Sequence, residues 1–216
     1  MTSSREWQRA RNPHQKARRR EEILAAAKRL FAKGSYDEVS LNGIARESGM
    51  SKPNIYRYFS SREEIFLHIF AEEQDRFFDR LTASLKELGP SPEVSDMVKV
   101  WVENSVESPD LMALLPTLGT SLEKNSSVDQ LVLFKKQGFE RMRRLASLLH
   151  QLHPRLSPEC WGEICTATVG LLAGLWPLCR NRMSVVKALA HPEVNLKPWD
   201  FRQKATFALS ALIRGA

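Results

Sequence analysis

Three cysteines in 216 residues, Cys160, Cys165 and Cys179, have no metal-ligand spacing, and their odd number leaves no fully paired disulfide framework. Reduced thiols in a cytosolic core fit that usage. β-Branched alternation is nowhere sustained, so no sheet is expected. The N-terminus, MTSSREWQRARNPHQKARRR, has no apolar stretch and reads as no secretory leader. The most apolar run, Ile164 to Cys179, falls short of the ~20 residues that span a bilayer and carries Pro177. A buried helix is expected there, and no membrane partner. Catalytic patterns are missing too. There is no glycine-rich phosphate loop, no HExxH pair, no nucleophile elbow, and no paired acids outside solvated helix faces. No enzyme, metal or cofactor is expected. No low-complexity segment or internal repeat is visible.

What is present is helix and unevenly placed charge. Hydrophobic residues make up 43% and charged residues 26%, the balance of a soluble globular chain long enough for one large or two modest domains. The net charge of +7 is not spread evenly: residues 1–62 hold 14 Lys/Arg against 6 Asp/Glu, and the remainder is close to neutral. A basic N-terminal module on a neutral body is the electrostatic footprint of a nucleic-acid binder.

That module centres on SLNGIARESGMSKPNIYRYFSSR, Ser40 to Arg62. Ser40 caps a short helix in which Leu41, Ile44 and Ala45 share one apolar face. Gly49 ends it where a left-handed residue is needed. Ser51 caps a second helix with Pro53 in its first turn. Ile55 and Phe59 face inward, leaving Lys52, Asn54, Tyr56, Arg57 and Tyr58 for the other sides. Tyr56 and Tyr58 also admit a core role, although the inward places are already filled. The spacing predicts a helix-turn-helix. Before it, residues 1–17 read as a flexible basic arm. Residues 18–33 read as a first helix striped by Ile23, Leu24, Ala27, Leu30 and Phe31. Tyr36 and Val39 read as packing residues on the way back.

After it, Ser61 and Glu64 predict a capping box opening a long helix that ends at Gly89, roughly 40 Å at 1.5 Å per residue. Its length predicts that it joins the module to the rest of the chain. The triplets Ser91-Pro92-Glu93, Ser108-Pro109-Asp110 and Ser157-Pro158-Glu159 share one grammar, a capping serine, proline at the first helical place, and an acid on the positive helix end. Helices are expected over about 92–107, 109–122, 126–152, 158–182 and 198–214. Two of these are apolar on several faces and suit either a core or a contact with another chain: 158–182, with Gly170, Leu171, Gly174 and Leu175, and 198–214, with Phe201, Leu209 and Leu212. Gly170 and Gly174 have the spacing that lets helices approach closely. His150 and His153 read as surface or loop residues, and His68 has no assigned role.

IARESGMSKPNIYRYFSSREEIF resembles the signature of the tetracycline-repressor family of bacterial transcriptional regulators, and the likeness covers residues 18–67. It implies an all-α fold of about nine helices. A three-helix DNA-binding domain (18–62) would be joined by a long helix to a helical ligand-binding and dimerisation domain (63–216). It implies Ser40, Ser51, Lys52, Tyr56, Tyr58 and Arg62 on the phosphate side, with Asn42, Asn54 and Arg57 as base readers. Many members have His where this chain has Tyr58. Arg57 stands at a variable place that also suits phosphate. The resemblance further implies a dimer through the last two long helices and an apolar or amphipathic small-molecule effector. Trp101, Met112, Phe134, Phe139, Met142, Trp161, Cys165 and Trp176 are the candidate pocket residues, all at core spacing. The function expected is a cytoplasmic, nucleoid-associated, homodimeric regulator, a repressor, released from a pseudo-palindromic operator by its effector. The alternative is a sequence-independent nucleoid protein without ligand response. The large, near-neutral C-terminal part argues against that alternative.

Overall fold

A computed structural model describes residues 3–180 and 183–216, with side chains from His14 onward. It is all-helical among the described residues. The backbone divides into two compact units, the first of residues 1–71 with 118–128, the second of residues 72–117 with 129–216. The sequence places the boundary at residue 62 and assigns 118–128 to the C-terminal part. The structure divides the chain differently.

The first unit holds α1 (Ser3–Phe31), α2 (Leu41–Glu47), α3 (Lys52–Ile55) and the opening of α4 (Arg62–Glu87). The segment expected as a flexible arm is helical from Ser3; its Arg, Glu, Gln and Ala residues are good helix formers. Residues 1–2 of that arm, and its side chains before His14, lie outside the described residues. Ile23, Ala26, Ala27, Ile44, Ile55, Phe59, Ile65, Phe66 and Ile69 are almost wholly buried, so the expected stripes meet in one core. Phe66 is the hub: the rings of Phe31 and Tyr36 stand edge-on to it at 5.7 and 4.9 Å. Gly49, at φ +66°, turns the chain between α2 and α3 in the left-handed region that a side chain would strain.

The second unit contains α5 (Val94–Val106), α6 (Pro109–Leu114), α7 (Val128–Leu152), α8 (Pro158–Cys179), α9 (Met183–Leu189) and α10 (Phe201–Arg214). Helix α10 packs on α5 and α8, and α6 packs on α5 and α8. Trp161, Ile164, Cys165, Leu172 and Trp176 of α8 point inward. The Trp176 ring meets Phe201 edge-on at 4.8 Å. A forked ion pair from Arg202 to Glu103 ties α10 to α5 and holds the Glu103 carboxyl below its ordinary range.

Several expectations change. Helix α8 is 22 residues, longer than the apolar run within it, and is long and apolar enough to cross a membrane by length and composition alone. One face packs inside the chain while Val169, Gly170, Gly174 and Leu178 stay exposed, so of the two settings expected for this apolar helix the core accounts for one face only. Residues 181–182 of that expected helix lie outside the described residues. The single helix expected over 109–122 is three pieces, α6, a 3₁₀ turn Leu115–Thr117 and a π turn Leu118–Leu122. Pro116 breaks the α-helical bond ladder there. The serine-proline grammar holds once in full. Ser157 accepts from the Cys160 N–H at 3.2 Å. Ser108 instead donates back to the Asn104 carbonyl at 2.7 Å. Ser91 sits at φ +54° before α5, whose cap is Glu93.

Candidate nucleic-acid interface

The reading surface is built by two short helices and three caps. Ser40 accepts from the Gly43 N–H at 3.0 Å and opens α2. Ser51 stands before α3 in the extended conformation of a cap, without a side-chain bond, and Pro53 occupies the first turn. Helix α3 is little more than one turn before the backbone tightens through Tyr56–Tyr58, yet Ile55 and Phe59 anchor it, 0% and 1% exposed. Ser61 accepts from the Glu64 N–H at 3.0 Å and opens α4. The expected box closes one residue earlier than the sequence suggests, with the Glu64 carboxylate accepting from the N–H and hydroxyl of Ser60.

With those anchors fixed, Ser51, Lys52, Asn54, Tyr56 and Arg57 lie exposed around α3, and Ser40 and Asn42 lie exposed at the start of α2. Tyr56 is 51% exposed, which removes the core alternative for it. Tyr58 is half-buried. Arg62 is placed differently from the rest. Its guanidinium stacks 4.3 Å from the Tyr36 ring centre, donates to the Val39 carbonyl at 3.1 Å and pairs with Glu63 at 3.0 Å. That guanidinium ties the head of α4 to the 36–39 turn instead of standing out with the exposed donors of α2 and α3.

Arg20, in the basic cluster of α1, is turned inward too. One amine of its guanidinium donates to the Tyr58 carbonyl at 2.6 Å, and the other lies 2.9 Å from His68 Nε2. The group sits 4.3 Å from the Phe59 ring centre. A cation is thereby placed on the carbonyl of the turn that follows α3. No sequence spacing signals this, because the partners are 38 and 48 residues away. Arg18 and Arg19 both pair with Glu22, and the Arg19 bond is the main cause that holds the Glu22 carboxyl below its usual range. Arg29 bonds Glu47 at 2.7 Å, joining α1 to α2 and lowering the Glu47 carboxyl in the same way.

The candidate effector and interface residues divide less cleanly. Trp101, Met112, Phe134, Trp161, Cys165 and Trp176 are buried and Met142 is half-buried, but none lines either of two grooves in the second unit. The larger groove, about 680 Å³, runs between α4 and α7 past Asp75, Phe78, Leu133 and Arg141. Phe139 does not belong with the core: it is 70% exposed. The inward face of α7 is set by Phe134, Leu145, Leu149 and Leu152, and five residues beyond Phe134 the helix has turned away. Of the interface candidates, Gly170 and Gly174 are exposed, and Leu171, Leu175, Phe201 and Leu212 are half-buried. Leu209 is wholly buried within its own chain and cannot meet a partner. Phe207, two residues earlier, is the outward aromatic, 76% exposed. The apolar content of α10 hid which face was which.

Two family models match the chain. "Bacterial regulatory proteins, tetR family" matches residues 23–69, and "Tetracyclin repressor-like, C-terminal domain" matches residues 71–216. The chain belongs to the tetracycline-repressor family. Members of the family are DNA-binding transcriptional regulators, not enzymes. The HTH-type transcriptional regulator BetI of Agrobacterium fabrum is 24% identical over 160 residues, 73% of this chain and 75% of that one. The Fatty acid metabolism regulator protein of Bacillus subtilis is 29% identical over 72 residues, 33% of this chain. The chain spans between 37% and 48% of the length of that protein and two further regulators of the same organism. Among solved structures, a tetracycline-repressor-family transcriptional regulator from Streptomyces coelicolor superposes with a TM-score of 0.55 at 17% identity. The match covers 91% of this chain and 98% of that one. The fatty acid degradation regulator FadR from Bacillus halodurans superposes with a TM-score of 0.53 at 19% identity, covering 91% and 95%. These likenesses establish the tetracycline-repressor fold.

Proposed function

We propose that the chain is a homodimeric repressor that binds a pseudo-palindromic operator in the cytoplasm and is released by a small apolar or amphipathic effector. The observation that carries the DNA-binding reading is the split on α3. Ile55 and Phe59 are fully committed to the core, while Lys52, Asn54, Tyr56 and Arg57 are exposed around them. Such an element enters a major groove without disturbing its own anchor. Ser40, Ser51, Lys52, Tyr56 and Tyr58 supply phosphate donors, and Asn42, Asn54 and Arg57 supply base-edge donors. Arg62 acts from behind, by fixing the head of α4.

The 18–62 module is the DNA-binding domain in this reading, and the chain from residue 63 onward senses and dimerises. The outward faces of α8 and α10, with Gly170, Gly174 and Phe207, are the surfaces for a second copy. An effector that prefers one arrangement of the second unit shifts operator occupancy by its differential affinity and no further.

Selection of duplexes from a random pool tests the reading. The expected result is an enriched palindrome with binding that falls steeply with salt. Lys52→Ala should weaken binding across all sequences, and Asn54→Ala or Arg57→Ala should change the enriched sequence. Recovery of no preferred duplex would instead support a sequence-independent nucleoid protein.

A further inference from the structure

Residues 118–128 follow α6 and precede α7, yet they fold with the reading-head unit. Specific bonds hold them there. The Tyr36 hydroxyl lies 2.9 Å from Ser121 Oγ, and Ser61 Oγ donates to the Asn125 carbonyl at 3.2 Å. Leu122 is wholly buried. Tyr36 is itself central to the head. Its ring stands edge-on to Phe66 and beneath the Arg62 guanidinium, and its hydroxyl donates to Glu63 at 3.4 Å. Ser121 therefore donates to Tyr36 and Tyr36 to Glu63, a polar chain ending at the first turn of α4.

The backbone carrying Ser121 is a π turn. The Glu123 N–H bonds the Leu118 carbonyl at 2.9 Å, five residues back. A π turn holds one residue more than an α turn and recurs at functional sites as a local register defect. Relaxing it to α-helix would turn Ser121, which lies inside it, round the axis relative to Leu118 and off Tyr36. The π register is the one that closes the polar chain.

We propose that Tyr36 and Ser121 are positioning residues that form a latch, closed by the π register of 118–122, which holds the reading head in its DNA-competent arrangement. The inference rests on the DNA-binding reading given above. Residues 117 and 129 are covalently continuous with the second unit. A change in α6 or α7 therefore reaches the latch through the chain, by a route separate from α4. Coupling of this kind requires an element with two states that both sites bias, and in the proposed latch that part falls to the π turn.

The test uses the full chain and the duplex that the wild-type protein enriches. Tyr36→Phe keeps the ring under Arg62 and removes only the hydroxyl; Ser121→Ala removes the partner. Each should weaken binding by about 3- to 10-fold, the worth of one hydrogen bond. The double variant should be no weaker than Tyr36→Phe alone, because loss of the hydroxyl already removes the contact that Ser121→Ala removes. Ser121→Thr should restore affinity. Deletion of Gly119, an exposed residue whose Cβ position is open, enforces the α register and should match Ser121→Ala. Amide exchange should quicken at 52–59 and 118–123 in the weakened variants and stay unchanged at 94–106. Unchanged exchange at 52–59, additive losses of affinity, or tighter binding would each overturn the latch. If the wild-type protein enriches no duplex, the DNA-binding reading fails, and exchange at 52–59 still decides the latch.

Discussion

Replacing Arg20 with methionine removes the cation at the turn that follows α3 while keeping an apolar stem over Phe59. The lost contacts are a bond to the Tyr58 carbonyl at 2.6 Å, a bond to His68 Nε2 at 2.9 Å, and a ring contact at 4.3 Å. A charge-assisted hydrogen bond contributes about 1.5–3 kcal/mol, and a desolvated cation–ring contact about 0.5–2 kcal/mol. These share one group and do not add fully, so the expected cost is about 2–4 kcal/mol. At about 1.4 kcal/mol per factor of ten, local opening of the 55–59 turn should rise roughly 30-fold or more. Native-state amide exchange at Tyr58 and Phe59 reads that opening directly, because their N–H groups bond the Ile55 carbonyl at 2.8 and 3.0 Å. Arg20→Lys should recover only part of the protection, since a single ammonium cannot serve the carbonyl and the imidazole in the same planar fork. A rise in exchange below about threefold in Arg20→Met would refute the assignment of Arg20 as the group that closes the turn after α3. A rise of the same size at 94–106 would show a general loss of stability instead.

Cys165 is wholly buried, and burial pushes its thiol up from 9.0 to about 12. The folded state then binds the proton more tightly than the unfolded one, so stability is full below pH 9.0 and is lost as pH rises towards about 12, and Cys165→Ala should flatten that alkaline decline in a urea series. The same environment should leave Cys165 unalkylated in folded protein when Cys160, half-exposed, reacts. Asn104→Ala strips the side chain that donates to the Phe77 carbonyl at 3.1 Å and accepts from Arg80 at 3.2 Å, and should cost about 1–3 kcal/mol by denaturant unfolding. Ser157→Ala, which removes the cap of α8, should cost about 1 kcal/mol, whereas Ser91→Ala should not lower stability through any lost cap.

The parts of the fold that rest on local chemistry were legible in the chain. Ser40 and Gly49 act through neighbours three residues away, and the four-residue spacing of Ile55 and Phe59 marks one inward face, which is enough to place α2 and α3. What escaped depends on phase or on distant partners. Helix α9 has no buried residue and so leaves no periodic stripe to find. Phe207 and Leu209 look alike in composition, and only the packing of α10 on α5 and α8 decides that one faces out and the other in. Ser91 has the right neighbours for a cap but the wrong backbone, φ +54°. Arg20 and Arg62 carry the charge expected of phosphate ligands, yet their guanidinium groups find carbonyls within the head. Ser121 belongs to a stretch that sequence order assigns to one unit and packing assigns to the other.

The economy of the α3 anchor has an evolutionary side. Two side chains, Ile55 and Phe59, fix the element, and the positions that face outward make no contribution to its core. Substitutions at 52, 54, 56 and 57 can therefore drift with little penalty in folding, so target preference and stability are close to separate traits in this chain. A library randomised at those four positions should stay largely folded while sampling new duplex sequences. Such a head can be handed from one gene to another, or reassigned by an engineer, without rebuilding the protein beneath it.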